Sequence, residues 1–249
     1  MTQQRSSASL MTRLARVDTT PPWSLASAAL ILVFAFIVLI VGTTAAYVWL
    51  GDRSTTPLIG WTLGCLLIAA LVWQTRAQDR ADLRLGASSA PIALVMFIGV
   101  GAAVAIDVLG LAVTRAFLPV PELLDISIDG VSAGDIALAA LFLIVAQPIG
   151  EELAFRGVGL PALRAALGGW IGLIVASAAY GVFHWVAYTP AYSAESGAAA
   201  AVWYGLIAPI AAGLLFGGVR VVTGSTRAAI AAHMAFGIFA LFKLLALVN

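Results

Sequence analysis

Residues 136–157 read IALAALFLIVAQPIGEELAFRG, an apolar run from Ile136 to Ile149 closed by Glu151, Glu152 and Arg156. The charges stand where the hydrocarbon of a bilayer would surround them. Holding an ionisable side chain there costs from ~2.5 to ~17 kcal/mol depending on the method, so a cluster of them needs partners, water or a function. If the segment stays helical, Glu151 and Glu152 project about 100° apart, while Glu152 and Arg156 lie one turn apart on one face and can pair. Glu151 is then left without a partner on its own helix. The plain alternative is a structural ion pair at a helix end near the lipid headgroups, and other residues must decide.

The chain is 62% hydrophobic and 10% charged over 249 residues, against ~45–50% apolar for a soluble domain. That composition predicts an all-α, polytopic bundle of transmembrane helices. The formal net charge is +1 and the basic residues are scattered, so no nucleic-acid partner is expected. Cys65 is the only cysteine, which excludes an intrachain disulfide and any multi-cysteine metal site; its apolar surroundings assign it to packing.

Working outward, residues 1–23 form a polar N-terminal segment, and residues 24–249 read as a single membrane-embedded domain. The first apolar run, 25–50, is too long for a signal peptide core and lacks a suitably placed cleavage site, so it reads as a helix that stays. Further spans are expected over 58–73, 91–113, 136 to the Gly168-Gly169 turn, 170–188, 200–222 and a last one ending at Asn249, seven in all. The third carries Asp107, expected to face another helix or the outer interface. The connector 76–84 is charged and reads as solvent-facing, and an acidic loop holds Glu122, Asp125, Asp129 and Asp135. Arg5, Arg13, Arg16, Arg76, Arg80, Arg84, Arg156, Arg164, Arg220 and Arg227 fall on one side of this arrangement. That predicts a cytoplasmic N-terminus in the cell membrane. Arginine over lysine, with abundant alanine, points to a GC-rich bacterial genome.

The two histidines, His184 and His233, both lie in apolar helical runs. Either alone reads more readily as a helix-to-helix hydrogen bond than as a catalyst. Glu151 precedes Gly168 by seventeen residues and His184 follows it by sixteen, so an antiparallel hairpin sets them at nearly one height. His233 stands about seven residues, roughly 11 Å, into the last helix. If the hairpin tip protrudes by about two turns, Glu151, His184 and His233 share one level. The fifth helix then ends partway across, with Thr189-Pro190-Ala191-Tyr192 folding back under protein cover.

Glu151-Glu152-x-x-x-Arg156, Tyr180-x-x-x-His184 and His233-x-x-x-Gly237 resemble the three motifs of the CAAX endopeptidase and bacteriocin-processing (CPBP, also called Abi) family of intramembrane proteases. The usual motifs are Glu-Glu-x-x-x-Arg, Phe-x-x-x-His and His-x-x-x-Asn. Here Tyr180 replaces the phenylalanine and Gly237 the asparagine. The resemblance covers about 135–245 and implies an endopeptidase acting on a membrane-associated protein or peptide, with lipid as its surroundings and no oligomeric state specified. The residues suit that chemistry. Glu151, a carboxylate in an apolar cavity, is the candidate general base, His184 would orient the water or hold a proton, and His233 would donate to the oxyanion. Glu152 and Arg156 would be scaffolding, and the bare Gly237 would leave room for a water in place of the amide. Glu151, His184 and His233 also offer ligands for a catalytic zinc, and the family is often described as metalloproteases, so a metal-free and a zinc mechanism both stay open. Two other readings stand beside the protease: a catalytically inactive relative serving as an immunity or membrane scaffold protein, and, more weakly, a carrier.

Overall fold

The computed structural model describes residues 9–17, 19–124, 126, 131–188 and 192–248. Arg5, Asp18, Asp125, Asp129, Asn249 and the expected fold-back at Thr189-Pro190-Ala191 lie outside the described residues. A short α1 (Leu10–Ala15) precedes seven helices long and apolar enough to cross a membrane: α2 (Leu25–Leu50), α3 (Thr56–Thr75), α4 (Ile92–Thr114), α5 (Ala133–Leu167), α6 (Gly169–Tyr188), α7 (Gly197–Thr223) and α8 (Thr226–Val248). The expected spans are all present, their ends moved by a few residues.

The ends follow local chemistry. Ser24 caps α2 by accepting from the Ser27 amide, and Ser132 with Asp135 forms a reciprocal capping box at the start of α5, which satisfies amides that the first turn leaves unpaired. The break between α5 and α6 is set by Gly168 at φ 87, a conformation that side-chain-bearing residues rarely adopt. Asp135, placed by sequence in the acidic loop, is therefore a helix cap.

Inside the bundle, three stretches widen from α to π geometry: Leu141–Ala146, Leu153–Gly159 and Trp203–Ile207. Each ends two residues before a proline, respectively Pro148, Pro161 and Pro209. Proline lacks the amide hydrogen and its ring presses on the carbonyl one turn back. The wider turn accommodates the ring while keeping the helix continuous. A carbonyl in the second π stretch, that of Val158, accepts from Trp23 Nε1 at 3.1 Å. Because both π stretches of α5 flank Glu151 and Glu152, the helix that carries the carboxylates is irregular on either side of them.

Close approach of backbones sets the helix positions, as expected where lipid gives no hydrophobic drive between helices. Gly150 of α5 lies against the Cys65 carbonyl of α3, and Gly237 of α8 lies against the Leu143 carbonyl of the first π stretch; a methyl group at either would overlap those atoms. This corrects the sequence expectation at Gly237. No space for a water opens along its missing side chain; the bare position is what lets α8 reach α5.

Several of the arginines assigned to the cytoplasmic side are packed within the protein. Arg76, Arg156, Arg164 and Arg220 are all buried. Arg164 donates to the carbonyls of Leu14, Arg16 and Gly169, strapping the N-terminal segment over the α5–α6 turn. Arg76, in the connector read as solvent-facing, donates to Ser27 Oγ at 2.8 Å and stacks over Trp23. Burial among apolar atoms pulls its pKa below the usual arginine value.

Candidate active site

Glu151 and Glu152 are 1% and 0% exposed. Each is held by a separate set of donors. On α6, Tyr180, His184 and Tyr188 follow one another at four-residue intervals and so share a face. All three turn to Glu151: Tyr180 Oη donates to Oε2 at 2.7 Å, His184 Nε2 lies 3.1 Å from the same oxygen, and Tyr188 Oη donates to Oε1 at 2.7 Å. A hydrogen bond to a charged group contributes about 1.5–3 kcal/mol. Three of them offset an effective burial penalty of several kcal/mol. The hairpin reading that brought Glu151 to His184 is met by this contact.

Glu152 accepts from Arg156 Nη1 at 2.9 Å and meets His233 Nδ1 at 3.1 Å, both on Oε1. Arg156 also donates to the Gly213 carbonyl of α7 at 3.2 Å, and its guanidinium lies 4.2 Å from the Tyr180 ring centroid. The predicted Glu152–Arg156 pair is thus present. His233, placed by sequence at one level with Glu151 and His184, takes its hydrogen-bond partner from the second carboxylate. Glu152 is therefore more than a counter-ion for Arg156: it links α5 to α8. Since a carboxylate only accepts, Nδ1 of His233 carries the proton in this contact. Its Nε2 can then donate to an oxyanion only when the ring is doubly protonated. Phe216 stacks on that ring at 4.7 Å and 18°.

The candidate zinc ligands fail to converge. Both Glu151 oxygens are engaged by tyrosine hydroxyls, His184 Nε2 faces Glu151, and His233 Nδ1 faces Glu152. Among the described residues no group of three or more His, Cys, Asp or Glu side chains is arranged to hold a metal ion. The arrangement does not fit a zinc on Glu151, His184 and His233, and the chemistry below is derived from the side chains alone.

A cavity of about 120 Å³ opens beside these groups, with Tyr180, His184 and His233 on its wall. Residues 133–239 match the family described as type II CAAX prenyl endopeptidase, Rce1-like. This segment is similar to that family. No curated protein and no solved structure matches the chain. The matched segment runs from the capping box of α5 to just past His233 and contains both carboxylates, both histidines, Tyr180 and Gly237. A CAAX prenyl endopeptidase family agrees with the resemblance carried by the three motifs.

Four residues around this site were not singled out as functional by the sequence. Tyr188 had a signal, its four-residue spacing from His184. Glu122 and Gln147 had none: Glu122 sits in a short 3-10 turn, Pro121–Leu123, that folds back over the site, and Gln147 Nε2 donates to Glu122 Oε1 at 3.4 Å. Lys243 also lines the cavity, ion-paired with Asp107, which also accepts from Tyr204 Oη at 3.2 Å. Asp107 thus faces other helices, as expected.

Proposed function

We propose that this chain is an intramembrane endopeptidase that hydrolyses a peptide bond of a membrane-associated protein or peptide without a metal. The reading rests on one observation above all: the Glu151 carboxylate is fixed by three donors while its partner His184 reaches the cavity wall. A water beside His184 attacks the carbonyl carbon. Its oxygen forms the new bond to carbon, the carbonyl electron pair moves onto oxygen, and the water's proton passes to the Glu151–His184 pair. His233, as an imidazolium held by Glu152, donates to the developing oxyanion. Collapse of the tetrahedral intermediate breaks the carbon–nitrogen bond, and the proton returns to the departing amine. Tyr180 and Tyr188 hold the carboxylate in place, and Arg156 does the same for Glu152.

The cell membrane is the expected site, with the N-terminus on the cytoplasmic side. A second reading, an inactive relative that acts through helix contacts, is supported by Gly237, where the asparagine of the resembled motif has no counterpart and no side chain fits. The two are separated by quantitative membrane proteomics of cells carrying the parent chain or Glu151→Gln. A protease substrate accumulates in the Glu151→Gln cells. If no membrane protein or peptide differs between the two, with both chains equally abundant, hydrolysis is excluded.

A further inference from the structure

His184 is flanked by carboxylates on both ring nitrogens. Its Nε2 lies 3.1 Å from Glu151 Oε2 and its Nδ1 lies 3.5 Å from Glu122 Oε1. Glu122 is far from Glu151 in the chain and belongs to the turn between α4 and α5, outside the three motifs and outside the 133–239 match. Its side chain is only 7% exposed. Gln147 of α5 holds the same oxygen from the other side, and both residues line the cavity that His184 reaches. A buried carboxylate aimed at a histidine in a hydrolytic site has a specific consequence. It accepts the Nδ1 proton and fixes the ring plane, so that Nε2 stays turned to Glu151. A contact of 3.5 Å is long, and such contacts in ligand-free sites tighten once substrate is bound.

We infer that Glu122 is a positioning residue of the hydrolytic site: it holds Nδ1 of His184, keeps Nε2 turned to Glu151, and is itself set by Gln147. The site is thereby a three-part row, Glu122–His184–Glu151, with one carboxylate supplied by a loop. The inference rests on the protease reading for its effect on rate, and on geometry alone for its effect on the histidine.

Two measurements on the full-length protein in detergent separate these. In turnover of a peptide substrate identified by accumulation in Glu151→Gln cells, Glu122→Ala lowers kcat by about 10–100-fold with KM nearly unchanged, the size seen when a partner that orients a functional histidine is removed. In the His184→Ala background the same change costs nothing further. Independently of any substrate, acylation by diethyl pyrocarbonate, read by peptide mass spectrometry, rises several-fold at His184 relative to His233 in Glu122→Ala, because Nδ1 has lost its acceptor. Glu122→Gln, isosteric and uncharged, gives the same pattern at smaller size and carries the test if the alanine variant loses its fold. An unchanged ratio of His184 to His233 acylation overturns the inference, as does a rise in KM with kcat intact, which would make Glu122 a substrate contact. Absence of turnover in the parent would refute the protease reading and leave the acylation test standing.

Discussion

His233 Nδ1 lies 3.1 Å from Glu152 Oε1, the oxygen that also receives Arg156. Adjacent carboxylates on one helix thus serve different histidines, Glu151 for His184 and Glu152 for His233. The helical angle between neighbouring positions explains the division, since side chains about 100° apart cannot address the same neighbour. Arg156, donating to Glu152 and to the α7 backbone, ties the second set to a fixed frame.

Breaking that frame has a stability signature. Arg156→Ala leaves Glu152 buried without its guanidinium partner, and removing one member of a buried pair costs roughly 3–5 kcal/mol. The variant is expected to show reduced membrane abundance and a lower thermal midpoint in detergent, along with lost turnover. A midpoint equal to the parent's would show that the pair carries no structural load.

His233→Ala should separate chemistry from folding. With Arg156 intact, Glu152 keeps a charged partner, so the protein is expected to accumulate normally. Turnover should fall by about 10²–10³, the cost of one oxyanion donor. Single-turnover kinetics give the comparison, and a loss confined to KM would assign His233 to substrate binding instead.

Tyr188→Phe removes one of three donors to Glu151 and leaves the ring packing against Trp61 and Phe142 in place. A hydrogen bond to a buried charge is lost, so destabilisation of about 1.5–3 kcal/mol is expected. A thermal unfolding series in detergent reads it. Tyr180→Phe, which keeps the ring under Arg156, should cost a similar amount.

Gly237→Asn is expected to destabilise the protein. The first side-chain carbon would overlap the Leu143 carbonyl of α5, and backbone atoms cannot move aside without shifting a helix. Gly237→Ala should already lower the thermal midpoint. Unimpaired folding of the asparagine variant, with turnover raised, would restore the reading in which an amide at this position assists His233.

For sidedness, cysteines introduced at exposed positions in the otherwise cysteine-free Cys65→Ala chain give the answer. With the N-terminus inside, Asp52→Cys in the α2–α3 turn is labelled by an impermeant thiol reagent in intact cells. Gln78→Cys, in the α3–α4 connector, is labelled only after the membrane is opened. The opposite pattern would invert the orientation.

Much of this protein was legible in residue order because lipid leaves few choices. A backbone in hydrocarbon must satisfy its own hydrogen bonds, so each long apolar run becomes a helix. The Gly168-Gly169 turn then fixed the α5–α6 hairpin, and nearly equal counts on either side of it paired Glu151 with His184. The i,i+4 rule placed Arg156 on Glu152. Charges and histidines inside those runs marked the site because their burial is costly without partners.

What the order of residues could not give is how non-adjacent helices and loops meet. Residue order held no signal that His233 would choose Glu152, since that depends on the rotation of α8, which is set by Gly237 against the Leu143 carbonyl. Glu122 reads as one acidic residue among several in a loop, and only the fold-back of Pro121–Leu123 onto Gln147 brings it to His184. Local periodicity decided which residues lie on one helix face; the contact between faces was decided by backbone approach at a few glycines and by a loop whose path no periodic pattern encodes.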